Sequence, residues 1–133
     1  MKLNRGTLNA ATAPPAAAPN PLAISGFLSQ TGTDAPTLAP LLVQITGATW
    51  SRSAAGTYPC TKAGAFTQGK TIPGTTPVIH QDAAGHCFMA VWTSVDVVTF
   101  YSATTSAVDE NGILTDLADD LYNNQEVNIY VFE

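Results

Sequence analysis

Residues 87–102 read Cys-Phe-Met-Ala-Val-Trp-Thr-Ser-Val-Asp-Val-Val-Thr-Phe-Tyr-Ser, and this stretch decides the fold class. It is dominated by β-branched and aromatic residues, which suit a pleated, half-buried surface. It divides into two strands, 87–93 and 95–102. The last strand, 127–132, alternates strictly: Val127, Ile129 and Val131 face one side, Asn128, Tyr130 and Phe132 the other. Upstream, strand-like runs occupy 22–30, 38–46, 48–53 and 57–61, and Pro40 marks an edge or a bend. Shorter extended pieces are expected at 65–67, 70–72 and 78–81.

Turn chemistry separates these runs. It lies at 31–36, at 54–56, at Pro73-Gly74, at 82–85, and at Asp109-Glu110-Asn111-Gly112, whose Asn-Gly pair predicts a tight hairpin. Leu114, Leu117 and Leu121 are spaced three and four apart and would permit a short helix. A loop or short turn is favoured for that acidic segment. About seven to nine strands at this spacing predict an all-β fold. The expectation is an antiparallel β-sandwich or jelly-roll-like domain over residues 22–133.

Residues 1–21 have a different character. Ala10 to Pro21 reads AATAPPAAAPNP, with four prolines and no large apolar side chain. Proline fixes φ and removes backbone donors, so an extended, polyproline-like N-terminal arm is expected. Leu3 and Leu8 could act as small anchors for it against a partner.

Charged residues make up 11% of the chain and the net charge is −5. The basic residues Lys2, Arg5, Arg52, Lys62 and Lys70 are scattered, so no basic stripe exists to neutralise a row of phosphates. Nucleic acid and anionic membranes are therefore not expected partners. No apolar run reaches the roughly 20 residues of a membrane-spanning helix. Asn4, Gly6, Thr7 and Asn9 interrupt the start, which argues against a secretory leader. Low charge also leaves little electrostatic protection against self-association.

Motifs for chemistry are scarce. There is no Gly-x-Ser-x-Gly elbow, phosphate-cradling loop or His-Glu-x-x-His helix. Cys60 and Cys87 are candidates for one disulfide, with two buried thiols as the plainer reading. Cys60, His80, His86 and Cys87 lack the short paired spacings of a zinc site. His86 and Cys87 are strand neighbours that should point to opposite faces. Asp109, Glu110, Asp116, Asp119 and Asp120 read as a solvated acidic turn rather than a calcium site. Asp96 is the only acid lodged in a strong strand. Neither catalytic residues nor a metal or cofactor is predicted. Trp50, Tyr58 and Tyr101 are candidate ligand or interface aromatics. Trp50, set among Thr49, Ser51 and Arg52, is the best placed of them for partial exposure.

One further pattern stands out. Residues 27–37, Phe-Leu-Ser-Gln-Thr-Gly-Thr-Asp-Ala-Pro-Thr, resemble a Leu-Ser-Gln-Thr-Gly-Thr-Asn-Ala-Pro segment of small virion-surface proteins from tailed bacteriophages and prophages. The family pattern continues through Thr49-Trp50-Ser51-Arg52, Gly56-Thr57-Tyr58, Gly64-Ala65-Phe66 and Lys70-Thr71. It closes on a strand comparable to Ile129-Tyr130-Val131-Phe132. The arm, the two cysteines and the acidic segment 109–120 lie outside the resemblance. It implies no catalytic or binding residue. What it implies is a context: a non-enzymatic head decoration, head fibre or tail-fibre module, attached through its arm and assembled in the host cytoplasm. Its expected partners are other capsid or tail proteins of the virion and copies of itself, a trimer first. The rival expectation is a carbohydrate-binding or adhesive module that recognises a host glycan.

Overall fold

The computed structural model describes residues 21–73 and 79–132. All of the expected arm, residues 1–21, except Pro21, and the Gly74 half of the predicted turn lie outside them. The described residues form nine strands: β1 (Leu22–Ser29), β2 (Thr37–Val43), β3 (Thr49–Trp50), β4 (Thr57–Thr61), β5 (Thr71–Pro73), β6 (Ile79–Gln81), β7 (Cys87–Ser94), β8 (Val97–Ala103) and β9 (Gln125–Val131). They form two antiparallel sheets, β2-β1-β9-β5 and β3-β4-β8-β7-β6. The fold is an all-β sandwich, with no helix among the described residues.

Register follows from burial. Ile24 pairs with Ile129 on one side and Val43 on the other, so the apolar positions of three strands share one face. Val127, Ile129 and Val131 are buried, as the alternation predicts. Ile24, Leu28 and Ile129 of this sheet meet Tyr58, Val98 and Phe100 of the other. Pro40 falls within β2, an edge strand, where its missing N–H costs no internal ladder bond.

β7 and β8 are covered on both faces, which is why 87–102 reads as nearly continuous apolar sequence. Phe88 and Ala90 point into the main core. Cys87 and Met89 point outward, where Ala103 and Leu114 complete a second, smaller cluster. Leu114 belongs to a strap, residues 104–122, that crosses this outer face. A single bridge, Ala103–Leu117, ties the strap to β8, and a second, Val108–Leu114, closes a hairpin within the strap. It then passes the end of β8, where Ala118 N–H donates to Ser102 O at 3.0 Å and Ser102 Oγ donates to Ala118 O at 2.7 Å. Beyond that crossing, Tyr122 enters the main core, with ring centroids 4.7 Å from Phe88 and 5.8 Å from Tyr58. Burying side chains such as Leu114 and Tyr122 stabilises by about 1.5–3 kcal/mol each.

Two local expectations change and one is met. Residues 65–67 form a loop rather than a strand. Phe66 fills the core from that loop, its carbonyl accepting the Trp92 indole N–H at 2.8 Å. Residues 114–121 form the favoured loop, and their leucine spacing serves two cores: Leu114 and Leu117 pack in the outer cluster and Leu121 against the main one. The Asn111-Gly112 hairpin exists, but only Gly112 takes a positive φ (78°), so it is not a two-residue primed turn. Asp109 Oδ1 accepts the N–H groups of Asn111 and Ile113, at 2.8 and 3.0 Å, and holds the longer loop.

Gly56 controls the strap crossing. A β-carbon there would run into Ser102 O and lie 2.7 Å from Ala118 N, besides straining a φ of 63°. Gly112 has similar strain (φ 78°) but open space around it. Gly112→Ala should therefore cost about 1 kcal/mol and Gly56→Ala about 3 kcal/mol or more. Urea unfolding of the two variants checks this, and equal losses would show that the strap does not depend on close approach at Gly56.

Candidate functional site

The strongest polar constellation joins β4, the β1–β2 loop and the strap. Asp119 lies on the strap, in the segment that leads towards β9. Arg52 Nη2 donates to Asp119 Oδ2 at 2.7 Å and Arg52 Nε to Oδ1 at 3.1 Å, a fork on the carboxylate. Gly56 N–H donates to Oδ1 at 3.1 Å. The Tyr58 hydroxyl stands 2.7 Å from Asp119 Oδ1 and 2.8 Å from Gln30 Oε1, so one phenolic proton serves two acceptors. Gln30 Oε1 also accepts the Asp120 N–H at 2.8 Å, while its Nε2 donates to the carbonyls of Gly32 and Asp34.

Side-chain exposure is 23% for Arg52 and 16% for Asp119, so the pair is largely withdrawn from water. The Arg52 hydrogen bonds, with those from Tyr58 and Gly56 N–H, hold the Asp119 carboxyl at about 2, below its ordinary 3.8. Burial, together with the hydrogen bond to Asp119, raises the Tyr58 phenol well above its usual range. Every member of the constellation faces another member. It therefore acts as a clasp between β4, the β1–β2 loop and the strap.

The other acids of this region are exposed, and three of them hold nearby loop backbone or hydroxyls. Asp120 Oδ1 accepts the Gly32 N–H, Asp109 holds its own turn, and Asp116 accepts from Thr105. The reading of 109–120 as a solvated acidic turn fits Asp109, Glu110, Asp116 and Asp120, which are exposed, and fails at Asp119. Among the described residues, no group of three or more His, Cys, Asp or Glu side chains gathers where a metal ion could be held. Nor does any buried side-chain nitrogen or oxygen among them lack a partner.

The two cysteines do not pair. Cys60 faces the main core and Cys87 the outer cluster, on opposite sides of the same sheet. The candidate disulfide is therefore corrected to two buried thiols, and the sheet between them also rules out joint ligation of one metal. Burial pushes the Cys60 thiol up to about 12. His86 Nδ1 lies 3.1 Å from Asp82 Oδ2, an exposed-side pairing at the turn before β7. His80 lies on β6.

The three candidate aromatics part company. Tyr58 has no exposed surface and is corrected to a core residue and clasp member. Tyr101 is half-buried on the outer face of its sheet, against the second cluster. Trp50 is half-buried, with its ring centroid 5.0 Å from that of Phe100. It lines a groove of about 540 Å³ along the open flank between edge strands β2 and β3, together with Pro36, Leu38, Pro40, Val43 and Ile45. No charged side chain lines this groove. Beside it, Leu41 (62%), Leu42 (49%) and Val43 (41%) are exposed in succession. Trp50 is partly exposed, as its sequence context indicates, but sequence reading missed this flank, because it depends on which edges of the two sheets come together.

No family model, curated protein sequence or solved structure matches this chain.

Two predictions follow from the clasp and the thiols. A carboxyl whose folded pKa is lowered stabilises the fold above its unfolded value and loses that effect as pH falls towards the folded one. Stability should therefore drop by roughly 2 kcal/mol between about pH 4 and pH 2 on account of Asp119. Asp119→Asn should remove that slope and cost about 2–3 kcal/mol at neutral pH. Urea titrations at stepped pH read both effects. Separately, neither thiol should react with an aromatic disulfide reagent in the native protein, and both should react in denaturant.

Proposed function

We propose that the protein is a non-enzymatic structural component of a bacteriophage virion: a head decoration, head fibre or tail-fibre module attached through its N-terminal arm. The observation that carries this reading is the open flank. An uncharged groove beside three consecutive exposed apolar residues is a surface for burial against protein. The clasp supports the same reading, since it engages the most strongly perturbed carboxylate in holding the fold together. The resemblance in residues 26–71 and the last strand supplies the phage context. The working form is a homo-oligomer, with three copies as the first expectation, in contact with other capsid or tail proteins.

A glycan-binding module is the second reading, favoured by the half-exposed Trp50 in its groove. Sugar recognition combines a stacking ring with convergent polar groups. The groove offers the hydroxyls of Thr37 and Thr49 and no charged side chain. That set is thin for a sugar and suited to an apolar protein segment.

Fractionation of particles tests the proposal. In a lysate that yields particles encoded alongside this chain, the protein should band with them at a fixed ratio to the major shell protein. A chain lacking residues 1–20 should stay in the unassembled fraction. Particles devoid of the full-length chain would overturn the virion reading. Glycan binding lost in Trp50→Ala would establish the second one.

A further inference from the structure

The open flank needs an occupant, and the fold restricts what it can be. Pro40 has no N–H, and β1–β2 pairing shifts register at Ser25/Gly26, so β2 is a poor template for an added strand. Its neighbour must bury side chains without demanding a backbone ladder. The groove presents an indole and two prolines, Pro36 and Pro40, among aliphatic side chains. An aromatic-lined groove of this kind suits a polyproline-type segment, which is extended in advance and loses little entropy on docking.

The chain itself contains such a segment. Residues 10–20, Ala-Ala-Thr-Ala-Pro-Pro-Ala-Ala-Ala-Pro-Asn, are uncharged, as the groove is. At about 3.1 Å per residue in polyproline form, they would span roughly 34 Å, enough to run the length of a seven-residue strand at about 3.3 Å per residue. The arm's root also lies nearby: Leu22 opens β1 two residues before Ile24, which pairs with Val43 of the groove wall.

We propose that this groove holds residues 10–20 of a second copy of the chain. The second copy is favoured over the chain's own arm by residues 18–21, Ala-Pro-Asn-Pro. Each residue before a proline is biased to extended backbone, so the sequence carries the arm onward from β1 and disfavours an immediate reversal onto its own flank. Leu41, Leu42 and Val43 then add apolar area to the contact between copies. The inference rests on the reading of the arm as an assembly element and specifies where that element docks.

Mixing two forms of the full chain tests it. Thr12→Cys carries a spin label on its arm, with Cys60 and Cys87 protected by burial. This form, without isotope, is mixed with nitrogen-15-labelled native chain. The Trp50 indole signal should broaden several-fold, while amides of the 109–112 turn, against the opposite β5–β7 flank, stay sharp. Light scattering of the native chain should give a mass above the 13.8 kDa of one copy. Val43→Glu, at a 41% exposed site, should abolish both effects without unfolding the domain, as circular dichroism would show. A sharp Trp50 signal in the mixture overturns the proposal. So does broadening seen only when label and isotope share one chain, which would assign the groove to the chain's own arm. Either failure leaves incorporation into particles as a separate result, so the virion reading stands or falls on its own experiment.

Discussion

The carboxylate of Asp119 is the constraint on which the architecture turns. The chain leaves β8, crosses the outer face of its own sheet, rounds the sheet's end and must then supply β9, a central strand of the other sheet. Nothing in residues 104–124 forms a regular element that would enforce this route. Arg52, Gly56 and Tyr58 enforce it by converging on one side chain of the strap. Through Gln30, the same network reaches the loop between β1 and β2. An ion pair this far withdrawn from water stabilises only when its remaining hydrogen-bonding capacity is met, and here Tyr58 and the Gly56 amide meet it.

The clasp and the outer cluster are two parts of one device. Leu114 and Leu117 give the strap apolar adhesion to β7 and β8, and Asp119 fixes its position along them. Adhesion alone would tolerate slippage, because apolar contacts are not directional. The polar fork supplies direction. Gly56 removes the β-carbon that would otherwise hold the strap away from Ser102, so backbone hydrogen bonding and side-chain clasping occur at one crossing.

Much of the sandwich was legible in the sequence because its signals are local. The alternation of 127–132, the paired apolar runs of 87–102 and the proline in β2 each report their surroundings within a few residues. The doubly covered sheet was legible only as excess hydrophobicity, since a strand cannot announce what lies on its second face. The clasp was not legible. Asp119 and Arg52 are 67 residues apart, and an acid in a turn-rich segment reads as solvated until the fold supplies its cation. Tyr58 shows a different failure. In Thr57-Tyr58-Pro59-Cys60-Thr61, alternation places Tyr58 on the same face as Cys60, and both are buried. Residue type suggested a surface aromatic where strand period already indicated an inner position.

The distribution of polar groups bears on how such a domain can associate. Strands β1, β2 and β5 carry no charged residue, and β9 carries only Glu126. The strongest ion pair is spent inside the molecule. Long-range steering therefore has little to act on at the open flank, and a partner docking there would have to be held by shape and apolar burial. Burial of that kind is non-directional unless something fixes register. The register shift beside Pro40 and the indole of Trp50 provide fixed features there. A segment with prolines at set positions can register against them, so a chain with little charge can still choose its neighbour.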